Sequence, residues 1–230
     1  MGRSTNGSTE FISAAIDLSA WNTLTFAAWI KTSGYAANNK SFFCHTSGSA
    51  WNTAGSFLID PDNQSVLLFE MDAPSYARSV GRPSSGVWLH YMVYFDRATP
   101  QIKYYLGGLL TSTNSAATGT PTGNFSNGTL YMGRAPGLGY HQMVTGHVAI
   151  WGGVQLGAGH ARSLAAGVPP SMVGIKPSFY WPIFGADSPE PDYSGSRVTA
   201  ALTNACPYAS GPPVQPGVIV PRRGFQPVPV

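Results

Sequence analysis

The most suggestive spacing in this sequence is Glu70-Met71-Asp72, two carboxylates at i and i+2. On a strand they share one face. Hydrolysis of a glycosidic bond with retention needs two carboxyl groups about 5 Å apart, one as nucleophile and one as acid. The next position in the alternation is Pro74, and Glu10, Glu70 and Glu190 are the only glutamates, so no complete carboxylate set can be assembled there. The pair reads better as a strand end entering the turn Asp72-Ala73-Pro74-Ser75.

Other polar groupings point more weakly to chemistry. Asp60-Pro61-Asp62-Asn63 could present oxygens to calcium, which takes six to eight of them. The same residues suit a β-turn with proline at its second position, and that is the reading preferred here. His45, His90, His141, His147 and His160 show no paired metal-ligand spacing. His90 and His147 fall in core-like strands and are expected to be packed. Cys44 lies in the apolar run Ser41–His45, where a thiol behaves as a small hydrophobe. Adjacent Cys44 and His45 would point to opposite faces of a strand, the wrong arrangement for a nucleophile and its base. A disulfide between Cys44 and Cys206 is left open. No phosphate-cradling glycine motif is present, because Gly137-Leu138-Gly139-Tyr140 lacks a strand–helix context. The expectation is a chain with no catalytic residues, no metal and no cofactor.

Aromatic side chains offer more. A sugar contact needs exposed aromatic faces beside planar polar groups. Ser49-Ala50-Trp51-Asn52-Thr53 and Gly139-Tyr140-His141-Gln142 have that composition, which makes Trp51, Tyr140 and His141 the candidate glycan contacts. The competing reading has these aromatics capping the ends of the fold or lining a protein contact.

Short runs rich in aromatic and β-branched residues, punctuated by Gly, Pro, Asn and Ser, must position these groups. Strands are predicted near Phe11–Ile16, Leu24–Lys31, Ser41–His45, Ser56–Asp60, Ser65–Met71, Tyr76–Val80, Trp88–Phe95, Ile102–Leu106, Thr129–Gly133 and Met143–Trp151. Residues 111–128 are nearly all small or polar and read as a long loop. A helix is predicted over Leu156–Ala166, stopped by Gly167 and followed by Pro169-Pro170.

Three of these segments carry a resemblance: Leu24–Lys31, then Trp88–Phe95 with Lys103–Leu106, then Gly146–Trp151. Together they resemble the laminin-G-like, concanavalin A-like jelly-roll family, with its "aWvk" strand, "W-x-H-v-x-v-x-y-D" strand, "lYvDG" hairpin and closing "G-x-i-d-e-v-x-i-y" strand, over roughly residues 10–167. The resemblance implies an all-β, two-sheet antiparallel jelly-roll sandwich with one short helix. The family's hairpin DG is Gly107-Gly108 here, still suited to a tight turn. The acidic pair of the closing strand is replaced by Ala149 and Trp151, so no ligand role carries over to those positions. Catalytic members of this fold carry an E-x-D-x-E strand, which Glu70-Met71-Asp72 does not complete. Tyr180-Trp181-Pro182-Ile183 with Asp192-Tyr193-Ser194-Gly195 is similar to the "yWpL…D.SG" opening of such domains, displaced here to follow the helix. It is expected to complete the same sandwich.

Charged residues make up 10% of the chain, against a typical value of roughly 25%, and the net charge is +3. No basic run exceeds Arg222-Arg223, which argues against nucleic acid as a partner. No apolar stretch approaches the roughly 18 residues of a membrane span. Residues 1–7 lack the apolar core of a secretory signal, which suggests a protein made in a host cytoplasm that stays there or leaves inside a larger particle.

The domain is expected over 1–205, with 178–205 returning to it, followed by an extended proline-rich arm over 206–230. Seven prolines there prevent regular pairing, yet the segment carries Val214, Val218, Ile219, Val220, Phe225 and Val228 as candidate partner contacts. The passage Trp181–Asp192 is similar to one in phage-associated proteins with this domain. The leading expectation is therefore a non-enzymatic virion protein, a capsid decoration protein of a tailed bacteriophage. Its arm would bind a major capsid or other virion protein, and the chain would self-associate as a homo-oligomer. The alternative is a lectin-like carbohydrate-binding module.

Overall fold

In Phe11–Asp17 every second residue turns inward: Ile12, Ala14 and Ile16 are buried, while Ala15 and Asp17 are exposed. That alternation makes a strand with one wet face, and its repetition along the chain builds a sandwich. A computed structural model describes residues 1–34, 41–60, 65–70, 73–79, 84–99, 101–114, 121, 123–183 and 188–214.

The strands are β1 (Gly2–Asn6), β2 (Phe11–Asp17), β3 (Thr23–Thr32), β4 (Phe43–Thr46), β5 (Phe57–Asp60), β6 (Ser65–Glu70), β7 (Ala73–Ser79), β8 (Leu89–Asp96), β9 (Gln101–Leu106), β10 (Leu109–Asn114), β11 (Asn127–Met132), β12 (Arg134–Ala135), β13 (Gly139–Tyr140), β14 (Gln142–Gly152), β15 (Phe179–Trp181), β16 (Ala201–Thr203) and β17 (Tyr208–Ala209), with one α-helix, α1 (Ala158–Ala165), and a 3-10 turn at Pro170–Met172 among the described residues. One sheet runs β10-β9-β8-β3-β14-β1-β17, with β15 also on β14. The facing sheet runs β16-β2-β11-β4-β5-β6-β7, and β12–β13 form a separate ribbon.

Both inner faces supply the core. Phe26 from one sheet meets Phe43 and Phe57 from the other at ring separations of 4.6 and 6.0 Å, and Phe57 stacks on Phe95 at 4.9 Å. Tilted and offset aromatic pairs of this kind add to the burial of their large apolar areas. Outside the first sheet, α1 covers Trp151, Ala149, Ala27 and Tyr105. The two closing-strand positions that depart from the family pattern thus lie under the helix.

The all-β sandwich is as expected, and the ten predicted strands fall on observed ones with ends shifted by a few residues. Gly107 and Gly108 take φ of +57° and +83°, the turn that returns β10 against β9. The returning segment completes the sandwich: β15 pairs with β14 through Val148↔Trp181, and Trp181 and Ile183 are fully buried. It lies end to end with β1, because β14 pairs first with β1 and then, past a bulge at His147, with β15.

Among the strands that depart from the sequence reading, β10 and β1 do so for a shared reason. Residues 111–114 belong to β10, an edge strand whose polar side chains need no apolar pattern. In β1 burial comes from polar groups: Thr5 donates to the His141 carbonyl at 2.6 Å, and the Arg3 Nε lies 2.9 Å from Glu190 Oε1. Arg3 also donates to the Cys206 carbonyl at 3.1 Å, beneath the Tyr208 ring. This clamp draws the start of the expected arm into the sandwich. Cys206 is buried in the core, Tyr208 and Ala209 pair with Arg3 and Gly2, and Pro212 lies over Gly146 beside Met1. The sandwich therefore extends past residue 205.

Candidate functional site

On the outer face of the seven-stranded sheet, the solvent-facing phase of two neighbouring strands carries aromatic rings. Phe11 belongs to the outward series of β2, and Tyr131 to that of β11, where Leu130 and Met132 face the core. Register places Ser13 opposite Tyr131, and the Phe11 and Tyr131 ring centroids are 5.9 Å apart. The β12–β13 ribbon then folds over this face. Its turn closes with Leu138 N–H donating to the Ala135 carbonyl at 3.0 Å. Pro136 takes the second turn position and Gly137, at φ +82°, the third, the residues a type II turn requires.

The ribbon delivers Arg134 and Tyr140. Tyr140 stands 6.0 Å from Phe11, and the Arg134 guanidinium lies 4.6, 5.5 and 5.3 Å from the centroids of Phe11, Tyr131 and Tyr140. All four side chains are half-buried. The Tyr131 and Tyr140 hydroxyls and the guanidinium make no hydrogen bond among the described residues, and Arg134 has no carboxylate partner there. Beside the cluster the face is low, because register brings Ala201 against Ser13 and Ala15 against Thr129, small residues that stay open to solvent. Three ring faces, two free hydroxyls and a cationic fork thus border a shallow platform.

The residues named from the sequence fare differently. Tyr140 belongs to the cluster. Trp51 adjoins it but also packs, with Tyr131 and Leu138, over buried Cys44, Leu58 and Ala135. Its loop is fixed by hydroxyls: Thr46 donates to the Ala50 carbonyl at 2.6 Å, and Thr53 contacts Thr46 and Ser56 at 2.6 and 2.7 Å. His141 is a correction. It is 1% exposed, its Nε2 lies 3.0 Å from Thr32 Oγ1 and its ring meets Phe42, so it is an interior tie and cannot present its ring to a ligand at the surface. Phe11, Tyr131 and Arg134 escaped the sequence reading, which searched loops. For Phe11 and Tyr131 the signal was there: a large aromatic on the polar phase of an alternating strand.

The other candidates resolve as follows. His90 and His147 are packed, as expected, and burial lowers them to about 3 and 4. His45 is buried too and lowered to about 4 by the same cause. Cys44 and Cys206 are both free and buried in separate clusters; burial pushes the Cys206 thiol up to about 11 and raises Cys44 further still. Asp60 is buried at the end of β5, while Pro61, Asp62 and Asn63 lie outside the described residues. No group of three or more His, Cys, Asp or Glu among the described residues could hold a metal ion. Glu70 ends β6 as expected, but Met71 and Asp72 lie outside the described residues. Of the arm contacts, Val214 is half-buried; Val218, Ile219, Val220, Phe225 and Val228 lie outside the described residues. No helix of the described residues is long and apolar enough to cross a membrane.

Comparison with known proteins supports the fold and is silent on a virion. Among solved structures, a Bacteroides ovatus protein provisionally described as carbohydrate binding superposes with a TM-score of 0.60 at 17% identity, covering 89% of this chain and 57% of its own. The present chain thus spans a little over half of that relative's length. A heptameric pentraxin from Limulus polyphemus gives 0.49 at 16% identity over 70% of this chain and 77% of its own. Domain 4 of an arabinanase from Geobacillus stearothermophilus gives 0.45 at 18% identity over 63% of this chain and 67% of its own. No curated protein matches the sequence. Nothing in these relationships supports a capsid partner or a phage origin. A family model does match residues 5–154, more than half of the chain, and by that match the chain belongs to the concanavalin A-like lectin/glucanases superfamily.

Proposed function

We propose that this protein is a carbohydrate-binding module whose ligand lies on the outer face of the seven-stranded sheet, against Phe11, Tyr131 and Tyr140. The observation that carries the reading is the cluster itself. Aromatic rings stand on a sheet face where the alternation calls for polar side chains, and two of their hydroxyls lack partners among the described residues. A sugar ring offers an apolar C–H face for stacking and hydroxyls for the free phenols, which is what such a border can satisfy. Ser13 and Thr129 supply further short polar contacts, and the exposed alanines leave room for a chain of sugars.

The proposed role is binding without turnover. Glu70 and Asp72, the pair that fits the first two positions of the E-x-D-x-E strand, meet Pro74 where a third carboxylate would stand. The virion role inferred from the arm is not preferred, because residues 206–212 fold against the protein's own β1 and β14.

A glycan array followed by calorimetry tests this reading. Tyr131→Ala and Tyr140→Ala are each expected to weaken binding about tenfold or more; thermal unfolding should move by only a few degrees in Tyr140→Ala and further in Tyr131→Ala, whose ring also packs over Cys44 and Leu58. Trp51→Ala is expected to lower stability as well, because it uncovers Cys44 and Leu58. The bound oligosaccharide should be recovered uncut after incubation. Binding unchanged in both tyrosine variants would overturn the assignment.

A further inference from the structure

Resting on the carbohydrate-binding reading, we infer that Arg134 selects acidic saccharides, sugars bearing a carboxylate or a sulfate, through an oxyanion placed on its guanidinium. The environment of this side chain contrasts with that of Arg3. Arg3 is neutralised by Glu190 in the interior and stacked on Tyr208. Arg134 sits instead at the surface among three rings, with no hydrogen-bonding partner and no carboxylate among the described residues.

The two acids nearest this cluster along β2 form no ion pair with the guanidinium. Glu10, next to Phe11, is 9% exposed and acts on the Cys206 thiol, on the inward side. Asp17, further along β2, accepts from the Ser19 N–H at 2.9 Å. The guanidinium is therefore held in place by the faces of Phe11, Tyr131 and Tyr140, with no carboxylate against it among the described residues.

Stacking of this kind leaves the N–H edge of a planar guanidinium free for in-plane hydrogen bonding. That edge matches the paired oxygens of a carboxylate or sulfate, and charge-assisted pairs are roughly twice as strong as neutral ones. The same rings that orient Arg134 would stack the sugar ring carrying the acid. Anion recognition and ring stacking then fall within one ligand residue. The small residues Ser13, Ala15 and Ala201 leave open the platform along which the neighbouring sugars would run.

The test uses the whole protein on a glycan array of matched pairs, each acidic glycan beside its neutral form. The carboxylate arm is oligogalacturonate and its methyl ester; the sulfate arm is a carrageenan oligosaccharide and its desulfated form. The acidic member of at least one pair is expected to bind about 10- to 100-fold more tightly than its neutral partner, with the preference shrinking as salt rises. Which arm shows the preference identifies the anion.

Arg134→Gln should abolish the preference, and Arg134→Lys, which keeps the charge but not the planar fork, should restore it in part. Arg162→Gln, on the exposed side of α1, makes the same change in net charge and should leave the preference intact. Thermal unfolding of each variant separates loss of fold from loss of binding. Equal binding of acidic and neutral members would overturn the inference and leave carbohydrate binding standing. So would a preference that survives in Arg134→Gln. Failure to bind any glycan of either class would overturn the carbohydrate reading itself.

Discussion

Replacing Glu190 with Gln removes the counter-charge of a guanidinium that cannot reach water. The Arg3 and Glu190 side chains are 7% and 2% exposed, and their contact is 2.9 Å. Breaking such a pair by deleting one partner costs about 3–5 kcal/mol, mostly because the remaining charge stays buried without compensation. Arg3 keeps its bond to the Cys206 carbonyl and its stacking on Tyr208, so the lower end, about 3 kcal/mol, is expected. For a domain of this size that corresponds to a fall in melting temperature of roughly 6–12 °C. Urea unfolding checks it directly: the midpoint should drop at nearly constant slope. The double variant Arg3→Met with Glu190→Met should lose less than Glu190→Gln alone, since an apolar pair carries no desolvated charge. A loss below about 1 kcal/mol in Glu190→Gln, or a double variant worse than either single one, would refute the claim that this pair closes the sandwich around β1 and β17.

Three more outcomes follow from the interior. Burial holds His45, His90 and His147 neutral, at about 4, 3 and 4, so between roughly pH 6.5 and 4 the unfolded chain binds more protons than the folded one. Stability should therefore fall as pH drops through that window; unfolding midpoints that stay flat between pH 7 and 5 would contradict it. Phe57→Ala removes a ring that touches Phe26, Phe95 and Phe125 and should cost about 3–5 kcal/mol, measured by denaturant unfolding, while the variant that still folds keeps its ligand. Cys44 and Cys206 should resist a thiol reagent in the native protein and both react in denaturant; fewer than two labelled thiols after unfolding without reductant would reveal a disulfide.

The sandwich was legible because its core strands are short apolar runs, rich in aromatic and β-branched residues and bounded by Gly, Pro, Asn and Ser. Leu24, Phe26, Ala28 and Ile30 announce one inner face of β3, and Tyr91, Val93 and Phe95 announce that of β8. What escaped was structure whose burial depends on polar partners far away in sequence. Nothing in Gly2-Arg3-Ser4-Thr5-Asn6 signals a strand until Glu190 and the His141 carbonyl are placed beside it. The binding face was half legible for a related reason. Tyr140 stood out in a glycine-rich segment, whereas Phe11 and Tyr131 hid in strands where an aromatic is ordinarily core. Only the pairing of β2 with β11 turns both outward on one surface. Arg134 carried no signal of its own, since three rings from three separate segments surround it. His141 misled in the opposite direction, as its polar neighbours in sequence face solvent while its own ring turns in to Thr32.

The most direct test is to titrate the isotope-labelled protein with a glycan that binds and to map the amide shifts. Binding at the proposed face predicts that perturbed amides cluster on Phe11, Ser13, Thr129, Tyr131, Arg134 and Tyr140, with β3, β8 and α1 unmoved. Shifts concentrated instead on the outer face of the eight-stranded sheet or around α1, with Tyr131 and Tyr140 silent, would contradict it.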